Sequence, residues 1–222
     1  MLSKIKYKVV FIDWNGTISG SKFWGHLENP NNPNHYLFSR IENVLFGELR
    51  PFLKSWMRGQ MTSEDILKLL SKKSNLPYNT ILEEFIESCK TMTFTTTKLA
   101  SLIRQLQNYK IKVVVATDNM DSFPRWTVPS LELSKIFDDI LDSYTLKAMK
   151  GDFDSKNKSL FFADYLEKHD LEPGECILID DSEDKDLKIS KIGIEYRKIE
   201  PMIGLETELE SILSLIRQNL KV

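Results

Sequence analysis

The sequence predicts an α/β protein built on a doubly wound, mostly parallel sheet, and three observations carry that prediction. The segments "YKVVFID" (7–13), "IKVVVAT" (111–117) and "ECILIDD" (175–181) are apolar and rich in β-branched residues, and each ends in a polar residue. Apolar runs of this length read as strands buried on both faces, the pattern of parallel sheets. Amphipathic helical patterns separate them, and strands alternating with helices imply crossover connections.

Taken in order, the first strand runs into Asp13 and the turn residues "WNGT". Residues 19–95 then interrupt the alternation. "NPNNPNHY" (29–36) is rich in turn residues, and "LFSRIENVLFGELRPFLKSWMRG", "TSEDILKLLSKKS" and "PYNTILEEFIESCKTM" have helical apolar spacing. Thr62 or Ser63, and Asn79, are the expected N-caps. The expected division is an α/β core from 1–18 and 96–222, with an all-helical unit from 19–95 lying over one edge of the sheet. Beyond it, "TTKLASLIRQLQNY" is a helix leading into the second strand. "DDILDS" (138–143) and "GIEYRKI" (193–199) are weaker strands. "SLFFADYLEKHD", with Ser159 as N-cap, "SEDKDLKISKI" and "ETELESILSLIRQNL" complete the helices.

Bulk properties narrow the function. The 222 residues allow one ordinary core and a smaller second unit. Net charge is −2 with Lys and Arg dispersed, so neither nucleic acid nor an anionic membrane is an expected partner. The two cysteines, Cys89 and Cys176, have no metal-site spacing and read as small buried hydrophobes. No apolar stretch approaches the ~20 residues of a membrane span. No signal-peptide pattern precedes the first strand, which makes the cytoplasm the default compartment. Oligomeric state is not legible.

The chemistry-bearing residues fall at the strand ends, where open α/β sheets bind ligands. Asp13 beside a glycine turn can act as a nucleophile if a cation neutralises the incoming anion, or it can simply form the turn. Thr117 can hydrogen-bond an anion or merely end its strand. Asp180 and Asp181 repel one another unless a cation sits between them, and hard oxygen ligands suit Mg²⁺. Their alternative role is to cap the helix that starts near Ser182.

The order Asp13, Thr117, a lysine and Asp181 resembles that of the haloacid dehalogenase superfamily of aspartate-nucleophile hydrolases. The stretches that carry the resemblance are "FIDWNGT", "VVVAT", "FDDILDS", the lysine-bearing "KGDFDSKNKSLFF" and "ILIDDSEDKD". "RGQMTSEDILKLLSKKSNLPYNTILEEF" is similar to the helical cap of the phosphoglycolate-phosphatase-like branch, whereas residues 21–50 match poorly. The resemblance implies a Rossmann-like core, a helical cap, and a Mg²⁺-dependent phosphohydrolase acting on a small phosphorylated metabolite. Asp13 would attack phosphorus and become an aspartyl phosphate. Thr117, with the backbone N–H groups of Asp118 and Asn119, would hold the transferring oxygens. Asp13, the carbonyl of Asn15 and Asp181 would bind Mg²⁺ beside Asp180, with Asp186 or Asp184 in support. The lysine is either Lys150, counting forward from Ser143, or Lys156, counting back from Asp181. Lys156 is preferred, because a side chain at a helix entrance is better fixed.

Asn15 departs from the family pattern, which has aspartate two residues after the nucleophile to protonate the leaving oxygen and then activate water. An amide cannot exchange a proton near neutral pH. Either the substrate needs little protonation or supplies its own acid, or the protein binds a phosphorylated ligand and turns it over slowly or not at all, or Asn15-Gly16 deamidates to aspartate. Dehalogenation ranks lower, because the acid-rich 180–186 stretch argues for a metal that dehalogenating members do not need. A two-component receiver domain has its phosphorylated aspartate after the acidic pair, the reverse of the order here. Among other residues, Trp14 is expected to point away from Asp13. Trp24, His26, His35, Tyr36 and Arg125 read as packing or surface residues sooner than as substrate contacts, and His169 as a helix-end residue.

Overall fold

The fold is that of a computed structural model, described for residues 6–219. All five expected strands form: β1 (Val9–Ile12), β2 (Lys112–Thr117), β3 (Asp139–Asp142), β4 (Cys176–Asp180) and β5 (Glu195–Lys198). They make one sheet in the order β3-β2-β1-β4-β5, every neighbouring pair parallel. The register aligns Ile12 with Val115 and Ile179, so β1, β2 and β4 end level.

Alternation explains why the central strands are apolar throughout. Val10, Ile12, Val113, Val115, Ile177 and Ile179 face one layer, formed by α5 (Leu99–Asn108) and the helix Gly204–Asn219. Val9, Phe11, Val114, Ala116, Cys176 and Leu178 face the other, where Phe161, Phe162, Tyr165 and Ile189 pack. Neither face is free for a polar residue until the strand ends. Trp14 continues the first set, fully buried against Phe123 and Phe94, with its indole N–H on Met92 Sδ at 3.4 Å. Cys89 and Cys176 are buried free thiols.

Between β1 and β2 lie α1 (His35–Asn43), α2 (Arg50–Met57), α3 (Ser63–Ser74) and α4 (Tyr78–Lys90), around a core of their own that includes Trp24, Ile41, Trp56, Leu70 and Phe85. The chain enters and leaves this insertion side by side: Thr95 donates its N–H to Ile18 O at 2.9 Å and its hydroxyl to Thr17 O at 2.8 Å. Thr62 caps α3 in a reciprocal box with Asp65. No helix among the described residues is long and apolar enough to cross a membrane.

Four sequence expectations need correction. The stretch 37–59 is two helices joined by a wide turn over Val44–Glu48. Pro51 has no N–H to give and crowds the carbonyl four residues back, so a new helix starts there. The N-cap of α4 is Pro77 and not Asn79. Ser159 accepts N–H bonds from Phe161 and Phe162 but caps only a turn, and the helix itself spans Ala163–Lys168. The 182–192 stretch is not one helix: a short 3-10 turn at Lys185–Leu187 is broken by the left-handed backbone angles of Asp186 and Leu187, and a single α-helical turn follows at Lys188–Lys191.

A single buried carboxylate fastens the insertion to the core. Asp121, just past β2 and 1% exposed, accepts the Trp56 indole N–H at 2.8 Å, the Ser63 N–H at 3.0 Å and hydroxyl at 2.6 Å, and the Arg125 guanidinium at 2.6 Å. Removing it strands several buried donors at once. Asp121→Ala should therefore lower the unfolding free energy by roughly 3 kcal/mol in urea titrations, the scale for breaking a buried charged pair. Glu64→Ala, which removes the more exposed partner of Arg125, should cost less than about 1 kcal/mol.

Candidate active site

Asp13 follows β1 directly, and Asp180 ends the neighbouring β4. The chain places β2 and β3 on one side of β1 and β4 and β5 on the other. The crevice at such a reversal is where open parallel sheets hold ligands. A pocket of about 740 Å³ opens there, lined by Asp13, Asn15, Asp118, Lys150, Asp180 and Asp181 among others. Lys54 and Arg58 of the insertion reach its wall.

Carboxylates of Asp13, Asp180 and Asp181 lie within 4.8 Å of one another. What holds them together is Lys150, whose Nζ donates to Asp13 Oδ1 at 2.7 Å and to Asp180 Oδ2. Burial works against the ammonium, but the charges of Asp13, Asp180 and Asp118 outweigh it and hold Lys150 above its ordinary range. Burial pushes Asp13 up to about 7, against the pull of Lys150 and with a further push from Asp180. Asp181 is raised as well, first by burial and then by Asp180.

The turn after β1 is shaped for this cluster. Gly16 has φ +75°, and a Cβ there would fall 2.1 Å from Asp181 Oδ2. Glycine is therefore needed for Asp181 to approach the loop. The Gly16 N–H donates to Ser19 O at 2.8 Å, and its carbonyl accepts from Met202 N at 2.6 Å. The nitrogen that would have to attack the Asn15 side chain during deamidation is thus engaged in a fixed turn, which argues against that route to an aspartate.

Thr117 is fully buried, and its hydroxyl has no partner among the described residues. A buried hydroxyl left unmatched at a strand tip is a place for an outside acceptor. Asn119 is held by its neighbours: its N–H donates to Ser143 Oγ at 2.9 Å and its Oδ1 accepts from Met120 N. Asp118 lines the pocket and accepts the Lys150 backbone N–H at 2.8 Å.

Two expected site residues lie elsewhere. Lys156 is exposed and sits in a turn where Asp154 accepts its backbone N–H, so the lysine at the carboxylates is Lys150, the forward register. The extra residues after Gly151 form an outward loop closed by the Asp154–Lys158 bond, which displaces Lys156 from the site. Asp186 is exposed, in a left-handed turn outside the pocket. Asp184 lines the pocket, but its carboxylate is spent on the N–H groups of Ile189 and Ser190 and the Ser190 hydroxyl.

The aromatic and basic residues of the insertion pack as expected. Trp24 stacks on Phe85 with ring centroids 4.5 Å apart, His26 meets Glu84, His35 bonds the Leu27 carbonyl, and Tyr36 is exposed. Arg125 is tied to Asp121 and Glu64. His169 leans on Tyr165 at the end of its helix. Sequence reasoning missed Arg58. It forms a two-pronged pair with Asp152, both contacts 2.6 Å, and the same carboxylate accepts Met149 N at 2.9 Å. The insertion thereby grips the loop that carries Lys150. Nothing local in "SWMRGQ" or "KGDFD" signals that meeting.

The donor set fits a hard divalent cation: three clustered carboxylates and a glycine that lets Asp181 close in, with Asn15 lining the same pocket. No curated protein sequence matches the chain. Among solved structures, a predicted haloacid dehalogenase-like hydrolase from Porphyromonas gingivalis is 14% identical, with 96% of this chain and 98% of that one aligned at a TM-score of 0.65. A haloacid dehalogenase family enzyme from Bacteroides thetaiotaomicron, crystallised with magnesium and inorganic phosphate, is 16% identical over 87% of this chain and 94% of its own, with a TM-score of 0.60. The L-2-haloacid dehalogenase of Xanthobacter autotrophicus, with chloropropionic acid covalently bound, is 12% identical over 87% and 77%, with a TM-score of 0.59. At these identities the likeness is one of fold. The family model for haloacid dehalogenase-like hydrolases matches residues 7–191, and the chain belongs to that family of hydrolases.

Proposed function

We propose that the protein is a Mg²⁺-dependent phosphohydrolase acting on a small phosphorylated metabolite through a phosphorylated Asp13. The observation that carries this reading is the Lys150 ammonium, 2.7 Å from Asp13 and bonded also to Asp180, at the tips of two adjacent strands. Phosphoryl transfer is mainly a matter of positioning and charge stabilisation, and this cluster supplies both. Asp13 attacks phosphorus in line. The Thr117 hydroxyl, unmatched among the described residues, and the Asp118 N–H hold the transferring oxygens, whereas the Asn119 N–H is already given to Ser143 Oγ. Lys150 neutralises charge on those oxygens. Asp13, the Asn15 carbonyl and Asp181 are the ligand set for Mg²⁺, with Asp180 behind them; when bound, the cation offsets phosphate charge and orients the group for attack. The helical insertion acts as the cap and presents Lys54 and Arg58 to the pocket, so substrate selection falls to it. Magnesium and phosphate in the Bacteroides enzyme support the reading.

Asn15 favours a second reading, in which the fold and metal are kept but turnover is slow and the protein serves as a phospholigand-binding or regulatory module. A panel of alkyl, aryl and acyl phosphates with and without Mg²⁺ separates the two. The enzyme reading expects Mg²⁺-dependent hydrolysis that Asp13→Asn abolishes. The binding reading expects background rates in the wild type and a large gain in Asn15→Asp, on the ~10²- to 10⁴-fold scale of general acid–base catalysis.

The two lysine registers give a second test. Lys150→Ala should cost roughly 10²-fold or more in kcat, as for removal of one charge-stabilising donor. Lys156→Ala should leave kcat within about twofold, since an exposed loop side chain touches nothing at the site. Equal losses in both would return Lys156 to consideration.

The raised Asp13 carboxyl provides a third. Its folded value, about 7, lies above its ordinary 3.8, so the native state of the metal-free protein favours the protonated form. The stabilisation is present at low pH and is lost as pH rises through that window. Mg²⁺ needs the carboxylate and competes with the proton. Calorimetry should find a larger rise in Tm on adding Mg²⁺ at about pH 8 than at about pH 6, with apparent affinity weakening about tenfold per pH unit below neutrality. A Tm shift that ignores pH would remove Asp13 from the metal site.

A further inference from the structure

If Asn15 cannot carry a proton, another pocket residue has to do so for substrates with poor leaving groups. Seven acidic side chains line the pocket, and six are committed. Asp13, Asp180 and Asp181 form the cation cluster. Asp152 is held on both oxygens by Arg58. Glu183 pairs with Lys198, and Asp184 caps the turn at Ser190. Lys150 holds two carboxylates, and the Tyr196 hydroxyl donates to Ser182 O at 3.1 Å.

The seventh is Asp118. Its Oδ1 accepts the Lys150 N–H, and among the described residues no hydrogen bond engages Oδ2. It follows Thr117 at the tip of β2, beside the strand that delivers Asp13. Lys150, Asp180 and Asp152 face it from the core, and Arg58 faces it from the insertion. Asp118 therefore stands between the carboxylate cluster and the cap. In-line attack by Asp13 puts the leaving oxygen on the far side of phosphorus, within the pocket that Asp118, Lys54 and Arg58 also line.

We propose that Asp118 is the general acid and base that Asn15 cannot be, an inference that rests on the phosphohydrolase reading. As Asp13 Oδ bonds to phosphorus, the P–O bond to the leaving group breaks. Its electron pair goes to the leaving oxygen, which takes the Asp118 proton and departs as a neutral alcohol. Water then attacks phosphorus and gives a proton to the Asp118 carboxylate. The P–O bond to Asp13 breaks, its electron pair returns to Asp13, and both residues are restored. Burial holds the Asp118 carboxyl above its ordinary value, against the pull of Lys150, which keeps a proton available closer to neutrality.

The test compares kcat/KM for glycerol phosphate, whose alkoxide leaves poorly, and p-nitrophenyl phosphate, whose phenolate leaves well, in the wild type and Asp118→Asn with Mg²⁺ present. This constant reports only the steps through phosphorylation of Asp13. Glycerol phosphate should lose about 10²- to 10⁴-fold, and p-nitrophenyl phosphate less than about tenfold. Introducing Asn15→Asp into the Asp118→Asn background should restore glycerol phosphate hydrolysis. Equal losses on both substrates, or none, would overturn the proposal while leaving the phosphohydrolase reading intact. A wild type inert toward both would overturn the two together. Should Asp118→Asn not fold, the wild type alone decides: rates that fall steeply with leaving-group basicity along an alkyl and aryl phosphate series mean no acid is present, and a shallow dependence supports Asp118.

Discussion

The structure turns on one electrostatic problem and its solution. Asp13, Asp180 and Asp181 are brought within a few ångströms of one another at the edge of a sheet that is apolar on both faces. Three carboxylates so close together repel one another, and burial of Asp13 and Asp180, with Asp181 half-buried, sharpens the conflict. One buried ammonium, Lys150, bonds two of them. The remaining charge is an invitation to a divalent cation, and then to an anion able to share it. The pieces around this cluster make sense as ways to place that ammonium. Its backbone N–H is held by Asp118, and the residue before it is held by Asp152. Asp152 is in turn gripped by Arg58 from across the pocket.

How much of this was legible in the sequence follows from how local each determinant is. The strands were readable because burial on both faces demands an unbroken apolar run, and such a run can be seen in a dozen residues. The strand-end carboxylates were readable for the same reason, since a polar residue can enter only where the run stops. The lysine was not. Lys150 and Lys156 lie in one polar loop, and the choice depends on where that loop bulges, which a turn at Asp154–Lys158 decides. Helix ends failed similarly. The break before Pro51 has a local cause that could have been weighed, whereas the left-handed pair Asp186–Leu187 has no signal in its residue types. Asp121 and Arg58 were invisible for a different reason. Each acts through partners about 60 to 94 positions away, and no single-sequence pattern reports such meetings.

Asn15 separates two jobs that one aspartate does in the family pattern. On the proposed reading, a backbone carbonyl at this position would bind a cation whatever the side chain, so replacing the carboxylate would spare metal binding and remove only proton transfer. The turn geometry agrees with that separation. Gly16 admits Asp181 and its flanking hydrogen bonds fix the loop, none of which depends on the side chain at position 15. A substitution that spares one function and deletes another leaves open where the second has gone, and the uncommitted Oδ2 of Asp118 is where the pocket has room for it.

The helical insertion then has a narrower task than a freely moving lid. Asp121 ties α2 and α3 to the segment after β2 through buried hydrogen bonds from the Trp56 indole and from the Ser63 N–H and hydroxyl, and Asp152 ties the end of α2 to the Lys150 loop. Both anchors are carboxylates of the α/β part of the chain, and both follow Asp118 in sequence. Opening the pocket by swinging the whole insertion would break the buried Asp121 network, at a cost of several kcal/mol. Releasing the Arg58–Asp152 pair alone, which is partly exposed, costs far less. On the proposed reading, substrate entry on the Arg58 side is thus the cheaper path. It couples admission of a ligand to the loop that sets Lys150, because the carboxylate freed from Arg58 still holds the Met149 N–H.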